Sequence, residues 1–66
     1  MRNQIKVERA KLNMTQQDLA DAIDVSRQTI NSIEKDRYVP STILAIKISN
    51  IFKKQVNEIF ELEESD

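Results

Sequence analysis

The sequence predicts an all-α fold, and three features predict it. Apolar or small residues in the stretch 16–35 recur at helical spacing: Leu19, Ala20 and Ile23, then Ile30 and Ile33. Helix-starting signatures stand ahead of such runs: Thr15 with Asp18 three residues on, Ser26, and Ser41 after Pro40. The run from 41 to 52 is apolar on more than one side of a helix, as suits a helix that is central or covered by a partner. With 66 residues, the chain makes one small domain, expected over 1–60 and followed by a tail over 61–66.

Taken in order, helix 1 is expected over 3–12. Ile5, Arg9 and Leu12 share a stripe there, flanked by Val7 and Ala10. Asn13-Met14 makes a turn, with Met14 as a buried plug. Helix 2 starts after Thr15, whose hydroxyl and the Asp18 carboxylate can cap each other's backbone N–H groups. Gln16 opens this helix, where free N–H groups attract a phosphate and an amide side chain adds a donor. Asp24-Val25-Ser26 reads as a stop, a buried plug and a fresh N-cap. The short side chain of Ala20 lets another helix cross closely. Ala20, a turn residue four later at Asp24 and an aliphatic six after that at Ile30 have the spacing of a DNA-binding helix-turn-helix.

Helix 3 is expected over 26–35. Thr29, Ile30 and Ile33 cluster on one side; Arg27, Gln28, Asn31, Ser32 and Lys35 lie opposite. That outer face has no acid and is rich in amides. Gln and Asn side chains can bond the adenine edge twice, and Arg can do the same to guanine. Arg37 and Tyr38 follow directly. A cation and a phenol suit phosphate oxygens, although Tyr38 fits the edge of a core equally well. Helix 4, over 41–52, carries Leu44, Ala45, Ile48, Ile51 and Phe52 on a broad face, with Ile43 and Ile46 on other sides and Lys47 solvated. Lys53-Lys54 close it favourably for the helix dipole. Helix 5, over 56–60, bears Val56, Ile59 and Phe60, with Leu62 beyond. Only part of that edge can meet a core formed by helices 1 to 4. The remainder, Val56, Ile59, Phe60 and Leu62 with Ile46 or Ile51, is the expected dimer patch.

The segment SRQTINSIEKDRYVPS, with the preceding TQQDLA, resembles the phage-repressor and Cro-like family, the xenobiotic-response-element type, and especially its short stand-alone regulators. The resemblance runs from about residue 5 to residue 60. It implies a compact, lambda-repressor-like bundle of five helices that binds double-stranded operator DNA as a two-fold homodimer. It also implies base readout by Arg27, Gln28, Asn31 and Ser32, and backbone contacts from Gln16, Gln17, Lys35, Arg37 and Tyr38. The family pattern pairs the positions of Arg9 and Glu34, so a partly buried ion pair fixing helix 1 against helix 3 is expected. Glu8 stands where the family usually has an aliphatic residue, so helix 1 is expected to pack less deeply. The family's helix-ending glycines are replaced by Asn13, Asp24, Asp36 and Lys53 in a chain with no glycine. Positive φ is expected at the first three, since Asn and Asp tolerate it, with Lys53 the least suited.

Net charge is −1, but all ten cations lie between Arg2 and Lys54 and five acids crowd the last nine residues. Residues 1–57 carry +4 and residues 58–66 carry −5, so the body is basic and the tail acidic. The tail is expected to fray and to lie away from DNA. Absence of cysteine excludes disulfides, and absence of both Cys and His excludes an ordinary zinc site. No metal, cofactor or small-molecule ligand is expected. No glycine-rich phosphate loop or catalytic pairing points to an enzyme. RNA binding is disfavoured by the scarcity of exposed aromatics. The chain lacks a spanning apolar run and a signal peptide, so a cytoplasmic location is expected. The leading reading is a sequence-specific transcription regulator, a repressor acting as a dimer on a palindromic operator. The alternative is an antitoxin-like or other module of the same fold whose main partner is a protein.

Overall fold

A computed structural model describes residues 1–66. The chain runs β1 (Arg2–Asn3), α1 (Ile5–Lys11), α2 (Gln16–Ala22), α3 (Arg27–Glu34), α4 (Thr42–Phe52), α5 (Val56–Ile59) and β2 (Phe60–Glu61). The five helices are those the sequence predicts. The two short strands are an addition: they pair antiparallel, with Arg2 opposite Glu61 and Asn3 opposite Phe60. Asn3, expected inside helix 1, therefore belongs to β1. Its Oδ1 accepts from the Ile5 backbone N–H at 3.2 Å, while its Nδ2 donates to the Ile33 carbonyl at 2.8 Å and to Asp36 Oδ1 at 3.1 Å. One side chain thus bonds both the first residue of α1 and the end of α3.

The helix starts follow their capping residues. Thr15 Oγ1 accepts from Asp18 N at 2.9 Å, and Thr15 N donates to Asp18 Oδ2 at 2.9 Å. Ser26 Oγ accepts from Thr29 N at 3.1 Å, and Ser41 Oγ from Leu44 N at 3.2 Å. The helix ends share one device. Asn13, Asp24, Asp36 and Lys53 have φ of 53°, 60°, 59° and 56°. The N–H of the next residue then reaches back to a carbonyl five residues earlier: Met14 to Arg9, Val25 to Ala20, Arg37 to Ser32, and Lys54 to Ser49, at 2.9–3.1 Å. This left-handed ending satisfies carbonyls that the last turn leaves open. Lys53 adopts it although it has neither the freedom of glycine nor the short polar group of Asn or Asp.

The core comprises Ile5, Leu19, Ala20, Ile23, Ile30, Ile33, Leu44, Ile48, Phe52, Ile59 and Phe60. Ala20 is fully buried where α2 meets α3. Met14 and Val25, expected as buried plugs, are half-buried against this core. In α1 the inward stripe differs from the expected one. Leu12 is 54% exposed, at the C-cap of a helix that ends at Lys11. Glu8 takes the inner place beside Ile5 and is only 7% exposed. Its Oε2 accepts from Lys54 Nζ and Lys11 Nζ, each at 3.1 Å. The Lys54 ammonium first, and Lys11 with it, hold this carboxyl below the usual range against the opposing effect of burial. The acid expected to loosen the packing of α1 instead joins it to the end of α4.

Residues 61–66, expected to fray, make contacts back to the chain start. Arg2 Nη2 donates to Glu61 Oε1 at 2.8 Å, and the Met1 ammonium lies 3.2 Å from Asp66 Oδ1 and 3.5 Å from Glu63 Oε1. The physical reason is charge: a basic start paired alongside an acidic end.

Candidate nucleic-acid interface

The angle of α3 is set from behind by Arg9. Its Nε donates to Glu34 Oε2 at 2.7 Å, its Nη2 to Glu34 Oε1 at 3.0 Å and its Nη1 to the Met14 carbonyl at 2.9 Å. The pair is bidentate and mostly covered, with Arg9 and Glu34 side chains 13% and 7% exposed. Glu34 pushes the Arg9 guanidinium further up, outweighing the effect of burial. One guanidinium therefore locks α1, α3 and the turn before α2. It also neutralises the only acid of α3, so the outward face of that helix carries no anionic side chain.

That face has two edges. Arg27 and Asn31, one turn apart, lie on the side of α2 and meet Gln16 there. Gln16 Nε2 donates to Asn31 Oδ1 and to Glu34 Oε1, and Arg27 Nη1 donates to Gln16 Oε1, all at 3.3 Å. The Gln16 amide, expected to point at a DNA backbone, is thus engaged with α3. Gln28 and Ser32 lie on the other edge. With Ser26, Thr29, Arg37 and Tyr38 they line an open, polar notch. Tyr38 is 47% exposed and belongs to the notch lining. Lys35 is exposed just beyond α3. Gln17 is exposed on α2, its Nε2 bonded to Asp21 Oδ1 at 2.8 Å.

The expected dimer residues divide. Ile59 and Phe60 are buried in the chain's own core at 1% and 7% exposure, so Ile59 offers a partner almost nothing and Phe60 only the edge that lines an apolar groove. The reason is the β1–β2 ladder, which turns the end of α5 inward instead of leaving it on the surface. Ile46, Val56 and Leu62 remain exposed, and Ile51 is half-buried. Val39, which the sequence reading passed over, lines an apolar groove with Ile46, Val56, Pro40 and Ala45, and the exposed Ile43 lies on the same helix.

Two structural contributors escaped the sequence reading. Asn3 sits two residues before Ile5, and its bonds to the Ile33 carbonyl and Asp36 at the end of α3 depend on its place in the strand ladder. Lys54 was read only as a helix-dipole partner, and its bond to Glu8 spans 46 residues.

Comparison with known proteins gives a consistent result. A family model described as helix-turn-helix matches residues 5–59. An uncharacterized HTH-type transcriptional regulator of Methanocaldococcus jannaschii is 47% identical over 66 residues, covering all of both chains. Another from Archaeoglobus fulgidus is 46% identical over 66 residues, covering all of this chain and 93% of its own. YgzD of Bacillus subtilis, described in the same words, is 41% identical over the full length of both chains.

Proposed function

This chain belongs to the helix-turn-helix family of DNA-binding transcriptional regulators, and from that premise we propose that it is a repressor that binds a palindromic operator as a homodimer in the cytoplasm. The observation that carries the reading is the outward face of α3. It is free of acid and bears Arg27 and Gln28, both exposed, and Asn31 and Ser32, both half-buried, within two turns. In the proposed complex α3 enters the major groove, where these four side chains read base edges. Lys35, Arg37 and Tyr38 hold the phosphates beside the groove, with Gln17 at the start of α2. The side chain of Gln16, the first residue of α2, bonds Arg27 and Asn31 of α3 and supports the readout from behind.

Dimensions favour the two-fold arrangement. Half-sites lie roughly 34 Å apart, and the chain measures 31 × 22 × 20 Å. Two copies placed on successive turns with their long axes along the DNA would abut. The apolar groove of Val39, Ile46 and Val56 is a surface that such a contact would cover. Repression follows from occupancy: a bound dimer denies an overlapping promoter to other proteins.

The test is binding to duplex from the chain's own promoter region against random duplex across a salt series, with mass recorded by light scattering. A preference of about a thousandfold or more, with two copies bound, supports this function. Weak binding that ignores sequence would overturn it and favour a module whose main partner is a protein.

A further inference from the structure

We infer that Gln16 is a specificity-setting positioning residue: it fixes the side-chain amide of Asn31 so that Nδ2, and not Oδ1, is offered to the DNA. This commits Asn31 to a base edge that accepts hydrogen bonds. The inference rests on the DNA-binding function proposed above and assigns the class of base that one residue reads.

The orientation follows from two charged neighbours. Glu34 Oε1, 3.3 Å from the Gln16 amide, can only accept a hydrogen bond. Arg27 Nη1, 3.3 Å from the other end of that amide, can only donate. Rotating the Gln16 amide by half a turn would set its carbonyl against a carboxylate and its NH2 against a guanidinium. Gln16 is therefore held with Nε2 inward and Oε1 toward Arg27. The Asn31 atom facing Nε2 at 3.3 Å must in turn be an acceptor, which is Oδ1. An amide whose ends look alike is given one orientation by groups that do not look alike.

The consequence for recognition is chemical. The twofold contact to adenine needs both the oxygen and the nitrogen of an Asn amide aimed at the base edge. Here Oδ1 is bonded to Gln16 of α2, while Nδ2 makes no bond within the chain and is not buried. A single donor suits guanine best, where N7 and O6 both accept, and then thymine O4; adenine also offers N7, but beside an N6 amino group that is left without an acceptor. The amide-rich face that suggests adenine from sequence is thereby divided. Gln28, on the notch edge, has no such tether among its bonds; Asn31 has one.

The experiment begins with the free protein. Side-chain amide spectra of uniformly 15N-labelled chain should show the Asn31 Nδ2 protons exchanging with water at an unprotected rate. The Gln16 Nε2 protons should be protected, and Gln16→Ala should shift the Asn31 resonances. Protected Asn31 Nδ2 protons, or Asn31 resonances indifferent to Gln16→Ala, would overturn the inference without reference to DNA. A randomised duplex pool is then selected with wild type, Gln16→Ala and Asn31→Ala. The position whose preference Asn31→Ala erases should be guanine or thymine in the wild-type pool. Gln16→Ala should move it toward adenine by about tenfold, within the range for one bidentate pair. Adenine in the wild-type pool, unchanged by Gln16→Ala, would overturn the inference while leaving sequence-specific binding intact. A wild-type pool with no enriched sequence would remove the DNA-binding function, and this inference with it.

Discussion

Lys53 holds φ at 56° without the side chain that would ease it. A left-handed conformation costs an ordinary residue about 1–2 kcal/mol, and glycine is nearly exempt. Lys53→Gly is therefore expected to stabilise the fold by about 1 kcal/mol, raising Tm by about 4–8 °C for a domain of this size. A thermal melt showing no rise would mean that the turn is not under strain. Glu8 gives the opposite kind of prediction. Its folded pKa lies below the usual value, so its contribution is present above the range where a free Glu titrates, about 4.3. It is lost as the pH falls through the folded pKa. Glu8→Gln should lower the urea midpoint near neutral pH, and the gap to wild type should close in strong acid. A gap that persisted after the wild-type carboxyl had been fully protonated would contradict the ion-paired account. These two residues also mark what a single sequence can tell. Asn13, Asp24 and Asp36 were legible because their residue type itself tolerates positive φ. Burial of Glu8 was not, because it depends on a lysine delivered by the far end of another helix.

At the level of elements, α3 is held by side chains from α1, β1 and α2. Glu34→Ala should destabilise the chain by about 3 kcal/mol, since it leaves the Arg9 guanidinium covered and without its carboxylate. A loss under about 1 kcal/mol in a denaturant titration would class the pair with solvent-exposed ones. Lys35 has the reverse profile, exposed and outside any ion pair. In the proposed complex Lys35→Ala should weaken all duplexes alike and shallow the slope of log K against log salt by about one per protomer. A loss confined to one sequence would instead make Lys35 a reader of bases. The helices and their capping residues were legible because Thr15, Ser26 and Ser41 act within four residues of themselves. The strand ladder was not, since two residues at each end carry no periodicity and their pairing is a matter of where the chain ends meet. The Gln16 network was equally hidden, because a wheel diagram shows which residues share a face but not which atoms of two helices touch.

For the whole molecule, the uncovered apolar surface is the feature with the largest consequence. Ile46 is 48% exposed and lies in the groove beside Val39 and Val56. Ile46→Glu should lower the mass in solution from two copies to one, remove the concentration dependence of the melting curve that a dimer shows, and lower operator affinity. A charged residue there that altered neither mass nor affinity would move the proposed dimer contact elsewhere. The uneven distribution of charge was legible from counting alone. Which apolar residues the fold would consume was not: Ile59 and Phe60 have the same character as Val56, and only the ladder after α5 separates them.

The same glycine-free sequence that places Asn and Asp at the helix ends also acts before any helix exists. Every residue carries a Cβ, so the unfolded chain samples fewer backbone conformations than one with glycine at those four turns. It has correspondingly less entropy to surrender on folding. For a domain with so small a core, part of the stability thus resides in the narrowness of the disordered state and not in any contact of the native one.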